Sequence, residues 1–235
     1  MLGRMGEDAL GRELVETVRA VVRSGAISMS KHGNASIKVP GRDEILYTAV
    51  GTLQDFEESG IARIALDGTV LDGAVPPMAA AVIDMHTAIY QERPQAGCVI
   101  HTHSPFATAF AVANKPIECW TEGFGIFGLD DGVPVAGYGA RGSKESIDNI
   151  RQALRERTKA VLLANHGVLA FEKTAAATVQ VGVLVEEAAQ SALLAAQIGG
   201  ARVIPPELLH ATFDRHAAFH AAGEVHAHAP AGDAH

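Results

Sequence analysis

The stretch KAVLLANHGVLAFEK, residues 159–173, constrains the fold more than any other. It reads as two strands folded about His166-Gly167, and nearly every position in them is apolar. Such strands leave no face for solvent, so they belong in a central sheet with helices packed on it. A second run, AGCVIHTH, is a buried strand that ends in His101 and His103.

Helical periods surround these strands. GRELVETVRAVVRSGAI spaces Leu14, Val15, Val18, Val21 and Val22 as one helix face and stops at Gly25. MAAAVIDMHTAIYQERP reads as one helix ended by Pro94. SPFATAFAVANK begins a helix with Ser104 as its cap and Pro105 at its first position. SKESIDNIRQALRER is a helix capped by Ser143, and a long helix from Thr174 ends at paired glycines. ASIKVPG and EILYTAV alternate as strands, IARIALDGTVLDG is a hairpin turning at Asp-Gly, and GVPVAGY is a short strand. The expected organisation is one α/β domain over residues 1–205. Residues 206–235 are rich in Ala and His, and read as a helical piece followed by a disordered end.

Composition narrows the function. Of 235 residues, 48% are hydrophobic, enough for a substantial core. A net charge of −8 argues against nucleic acid and anionic membranes as partners. No uninterrupted apolar run reaches the length of a membrane span, and the charged N-terminus lacks the apolar core of a signal peptide. The two cysteines, Cys98 and Cys119, are too few for a disulfide scaffold, so the expected compartment is the reducing cytoplasm.

Of the 11 histidines, those outside the C-terminal segment are His32, His86, His101, His103 and His166. Residues i and i+2 of a strand share a face, so His101 and His103 point the same way. Two readings follow: hydrogen-bonded strand histidines, or two ligands of a metal whose third is His166. His166 interrupts an apolar strand, and Gly167 beside it permits a bend and a close backbone approach. His86 lies among apolar helical neighbours and reads as a packing residue. Tyr138 and Arg141 read as shaping the loop before Ser143, with a substrate carboxylate as the alternative partner of Arg141. His210, His216 and His220 are the tail histidines best placed to reach a neighbouring subunit's site.

In order along the chain, GNASIKV, YQERPQAGCVIHTHSPFATAFA, VPVAGYGARGSKE and AVLLANHGVLAFE resemble the class II aldolase/adducin family over about residues 10–200. The resemblance implies a three-layer fold with a mainly antiparallel sheet. It implies a homotetramer with active sites between subunits, acting on a small molecule. It also implies that His101, His103 and His166 bind a divalent metal, zinc most often, with Mn2+, Co2+ and Fe2+ as alternatives. In the family, substrate oxygens chelate the metal, which stabilises the enolate left when a C–C bond breaks.

The sequence departs from the family at the expected Ser-Ser-Glu stretch, whose Glu is the acid/base and whose serines hold phosphate. Counting without gaps puts Ala80, Ala81 and Val82 there. Asp84 lies about 200° further round a helix and does not substitute. The phosphate turn Thr-x-Ser/Thr-Gly is Thr48-Ala49-Val50-Gly51, while Gly33-Asn34 is kept. Glu122 falls where family aldolases carry a catalytic Tyr, and is the candidate relocated acid/base. Lost hydroxyls argue against a sugar phosphate, because a buried phosphate needs such donors.

The expected substrate is therefore a small non-phosphorylated carboxylate, dihydroxylated aromatic or oxo, contacting Lys31, His32, Asn34, Thr48 and Gly51. The expected reaction is metal-dependent decarboxylation. Its alternatives are aldol cleavage of a hydroxy-keto substrate, iron and oxygen chemistry on the same fold, and a non-catalytic adducin-like module.

Overall fold

The computed structural model describes residues 2–227. Eight strands form one sheet in the order β4-β3-β2-β1-β5-β8-β7-β6. They are β1 (Gly33–Lys38), β2 (Glu44–Thr48), β3 (Ile61–Ala65), β4 (Val70–Asp72), β5 (Cys98–Thr102), β6 (Val135–Ala136), β7 (Ala160–Leu163) and β8 (Gly167–Glu172). Every pairing is antiparallel except β6 with β7.

Helices cover both faces. Toward one face lie α2 (Pro77–Ala80), α3 (Ile83–Glu92) and α6 (Lys144–Ala153); α3 and α6 pack there with Tyr47, Val99, Val161, Leu169 and Phe171. On the other lie α1 (Leu2–Ser24), α4 (Pro105–Val112) and α7 (Ala175–Ala195), packed on Ile37, Leu46, Ile100, Leu162 and Val168. The fully apolar strands divide their side chains between these layers, which is why they tolerate no polar face. The sheet is mainly antiparallel and helix-flanked, as expected.

Two local details differ from expectation. The helix expected through 78–93 breaks at Ala81 and Val82. Tyr47 donates a 2.8 Å hydrogen bond to the Ala79 carbonyl, and the Val82 amide turns back to the same oxygen. Val82 then leaves helical geometry at φ −124 and ψ 6. Ser104 precedes α4 but does not cap it. Its hydroxyl donates to the Ala26 carbonyl, while the amides of Phe106 and Ala107 donate to the Glu186 carboxylate at 2.9 and 2.8 Å. A charge from α7 thus replaces the local cap. The segment around Glu122 is α5 (Glu122–Phe124), followed by a π turn over Gly125–Leu129.

Ser143 does cap α6, accepting from the Ser146 amide at 3.1 Å. The segment 175–198 is long and apolar enough, by length and composition, to cross a bilayer. Here it lies along the sheet with Val181, Val185, Ala188 and Ala189 buried. Residues 206–227 form α8 (Pro206–Ala227), docked by buried Leu209 against Gly125. The end expected to be disordered, 228–235, lies outside the described residues, as do the side chains of His216 and His220.

Candidate metal centre

His101 is near the end of β5, and His103 follows one residue beyond that strand. His101 shares its face with Val99, toward the α3 layer. His166 occupies the turn between β7 and β8, and β8 pairs with β5. Asn165, with φ 58, makes the left-handed step in that turn. Gly167 serves close approach: a Cβ there would lie 2.5 Å from the Thr102 oxygen and 3.2 Å from His101 Cε1. Gly33 on β1 does the same opposite, where a Cβ would lie 2.5 Å from the His101 oxygen.

The three rings form a near-equilateral triangle, with centroids 5.0, 4.7 and 5.0 Å apart. One ligand nitrogen from each lies within 4.8 Å of the others. His101 Nε2 and His103 Nε2 are 3.1 Å apart. Two nitrogens on a tetrahedral zinc, with bonds near 2.0–2.1 Å, stand about 3.3 Å apart, so this pair is at ligand spacing. His101 Nδ1 lies 3.0 Å from the Val168 carbonyl, which orients the ring as outer partners of metal ligands do.

Burial lowers the pKa of all three histidines. At His101 the other two rings and His86 lower it further; at His103, Arg141 and His32 do so. At His166, burial, then His103 and Arg141, hold the pKa to about 4. The rings are thereby kept neutral, the form that ligates a metal. The donor set fits a divalent cation.

A cavity over the pair is lined by His32, Asn34, Gly51, Val82, His101, His103 and Arg141, among others. Val82 therefore borders the triad where the family glutamate was expected. Val50, Met78 and Ala79 also line this cavity, whereas Ala80 and Ala81 do not, because the α2–α3 break turns them away. His32 is 6.3 Å from His103, ring to ring, and its Nδ1 is 2.8 Å from the Ser30 hydroxyl.

Other sequence candidates fall elsewhere. Thr48 is fully buried; its hydroxyl accepts from the Ala35 amide at 2.9 Å, and period two puts it on the Leu46 face. Lys31 is half-buried with φ 55, and is not among the cavity residues. Glu122 is exposed at the start of α5, outside the cavities bordering the triad. His86 is fully buried on α3, with Nδ1 2.8 Å from the Ser36 hydroxyl.

Arg141, read from the sequence first as a loop-shaping residue, lies beside the triad. Its Nη2 lies 3.4 Å from His166 Nε2. The available signal was the glycine-rich setting GYGARGS, where tight glycines mark a loop packed against something. A separate cleft at the far end of the sheet holds Arg157, Lys159 and Glu172, whose charges are paired locally with one another or with Asp130.

Known proteins share this plan. Residues 12–193 match the Class II Aldolase and Adducin N-terminal domain. L-fuculose phosphate aldolase of Escherichia coli O6:H1 is 31% identical over 169 residues, 72% of this chain and 75% of that protein. The 5-methylthioribulose-1-phosphate/5-deoxyribulose-1-phosphate aldolase of Rhodospirillum rubrum is 28% identical over 208 residues, 88% and 90% of the two chains. A solved L-fuculose 1-phosphate aldolase superposes with TM-score 0.77 at 27% identity, covering 87% of this chain and 94% of that one. The chain belongs to the class II aldolase and adducin family and is a metal-dependent lyase of the aldolase type.

Proposed function

We propose that the protein decarboxylates a small, non-phosphorylated carboxylic acid, an oxo acid or a dihydroxylated aromatic acid. The observation that carries this is Val82, which lines the cavity with His101 and His103 where an acid/base carboxylate was expected. Its side chain can neither take a hydroxyl proton nor return one, and aldol cleavage requires both. Loss of carbon dioxide requires no base, only a proton donor to carbon. The C–C bond electrons pass to the adjacent carbonyl or ring, and one proton is then added to carbon.

A divalent cation, zinc in the first instance, held by His101, His103 and His166 supplies positive charge to a developing enolate oxygen. The chain's own residues shape the rest. Val50, Ala79 and Val82 make an apolar wall that suits a ring or alkyl chain and offers a phosphate no side-chain hydroxyl. Asn34 and Gly51 border the same space, and His32 stacks beside His103. The proton comes from water, or from Glu122 of a neighbouring subunit in the tetramer that the family resemblance implies.

The test is a substrate panel with the zinc-loaded protein. Carbon dioxide released from dihydroxylated aromatic or β-oxo acids, with no cleavage of ketose 1-phosphates, is the expected result. Efficient cleavage of L-fuculose 1-phosphate would overturn the reading.

A further inference from the structure

Two cavities border the triad, one on the His101 and His103 side and one on the His166 side. Arg141 is the residue common to both. Its Nη2 faces His166 Nε2, and among the described residues no carboxylate pairs with it. Among the described residues, neither cavity is lined by an aspartate, a glutamate or a lysine. Arg141 is solvent-exposed, so its guanidinium is open to an anion entering either cavity.

The loop presenting it is held firmly. Asn149 Nδ2 donates to the carbonyls of Gly137 and Tyr138, both at 3.2 Å. Gly139 lies so close to α6 that a Cβ would be 2.5 Å from Ser146 Cα. Gly142, at φ 74, sits against Ala81, at the same α2–α3 break that brings Val82 to the cavity. The α2–α3 break and the loop that carries Arg141 are thus neighbours.

We propose that Arg141 binds a carboxylate of the substrate that is retained in the product, so that the substrate carries a second acid group besides the one lost. This rests on the decarboxylase reading for the identity of the leaving group. A guanidinium fork matches a carboxylate with two parallel hydrogen bonds. It is badly suited to the departing group, because it would stabilise the anion that must lose its charge. On the His101 and His103 side a phosphate dianion fits less well, because Val50, Ala79 and Val82 offer it no hydroxyl there.

The test is calorimetric titration of the zinc-loaded full chain with phthalate, benzoate and inorganic phosphate. It compares the natural protein with Arg141→Gln and Arg141→Lys. Phthalate is expected to bind about tenfold or more tightly than benzoate. Arg141→Gln abolishes that preference, and Arg141→Lys restores part of it. Unchanged zinc content and unfolding temperature establish that both variants keep the site.

A phthalate preference that survives Arg141→Gln overturns the proposal, as does its absence from the natural protein. Phosphate binding tighter than phthalate and lost in Arg141→Gln assigns the side chain to a phosphate instead, and also overturns it. None of these readouts needs turnover. If no acid releases carbon dioxide while the preference still depends on Arg141, the reaction reading fails and the anchor stands.

Discussion

His101 and Val168 are joined across the β5–β8 ladder: the imidazole Nδ1 lies 3.0 Å from the Val168 carbonyl. With the proton donated there, Nε2 presents its lone pair toward His103. The sheet pairing that buries the core therefore also aims the first candidate ligand. Replacing His101 or His166 with Ala is expected to weaken zinc binding by about a hundredfold or more, and chelation of the natural protein is expected to lower its unfolding temperature. A ligand at about a hundred times its dissociation constant stabilises by roughly 2.7 kcal/mol. Metal titration followed by thermal unfolding reads both, and tight one-to-one zinc binding by His101→Ala would remove the triad from the site.

Gly167→Ala tests whether the turn is built for closeness. The new methyl would meet the Thr102 oxygen at 2.5 Å and His103 Cδ2 at 3.0 Å, so β8 must shift from β5 or His103 must rotate. Overpacking of this kind costs about 1–3 kcal/mol, and zinc affinity is expected to fall with it. Gly182→Ala in α7 is the control, because its nearest new contact is the Ala170 Cβ at 3.9 Å. It is expected to be neutral or to gain about 0.5–1 kcal/mol from lower backbone entropy.

Glu186 anchors α4 from α7, and its loss should be felt in stability rather than in metal binding. Glu186→Ala leaves the Phe106 and Ala107 amides without their acceptor, a cost of about 1–3 kcal/mol. Burial raises the carboxyl pKa, opposed in part by those two amides. The folded state then keeps its proton to higher pH than the unfolded state does. The associated stability is full below the unfolded pKa and is lost as pH rises through the folded one. Compared with Glu186→Gln, the natural protein is expected to lose ground on raising the pH from about 4 to 7. Denaturant titrations at several pH values measure the difference; a difference independent of pH would deny the raised pKa.

Much of this was legible in the residues. Apolar strands and helical periods give the layers, because burial on two faces leaves a plain pattern in KAVLLANHGVLAFEK and AGCVIHTH. The pair His101 and His103 follows from strand alternation, and His166 from its turn. The α2–α3 break was not legible, since it depends on Tyr47, from a distant strand, taking the Ala79 carbonyl. Glu186 as the α4 cap is hidden for the same reason: it lies 80 positions from Phe106. Thr48 was singled out by its motif, but period two turns it to the α1 side, where its hydroxyl serves the Ala35 amide. The sequence offered Arg141 a substrate carboxylate but not its place beside His166, because where its loop lands is decided by the β6–β7 crossover and the close approach of Gly142 to Ala81.

His86 separates a buried structural histidine from the ligands near it. It is fully buried, with Nδ1 facing Ser36, Nε2 without a hydrogen-bond partner, and its ring edge-on to Tyr47 at 5.2 Å. Desolvation holds its pKa down to about 3. A histidine unfolded at about 6.5 takes up a proton that the folded state refuses. The stability it supports is complete above that value and is lost as pH falls toward the folded pKa. Over that window one such group costs about 1.4 kcal/mol per pH unit. His86→Gln should therefore reduce the acid slope of unfolding free energy by about one proton between roughly pH 6 and 4, while zinc stoichiometry stays at that of the natural protein. Loss of zinc without a change in the acid slope would make His86 part of the metal centre instead.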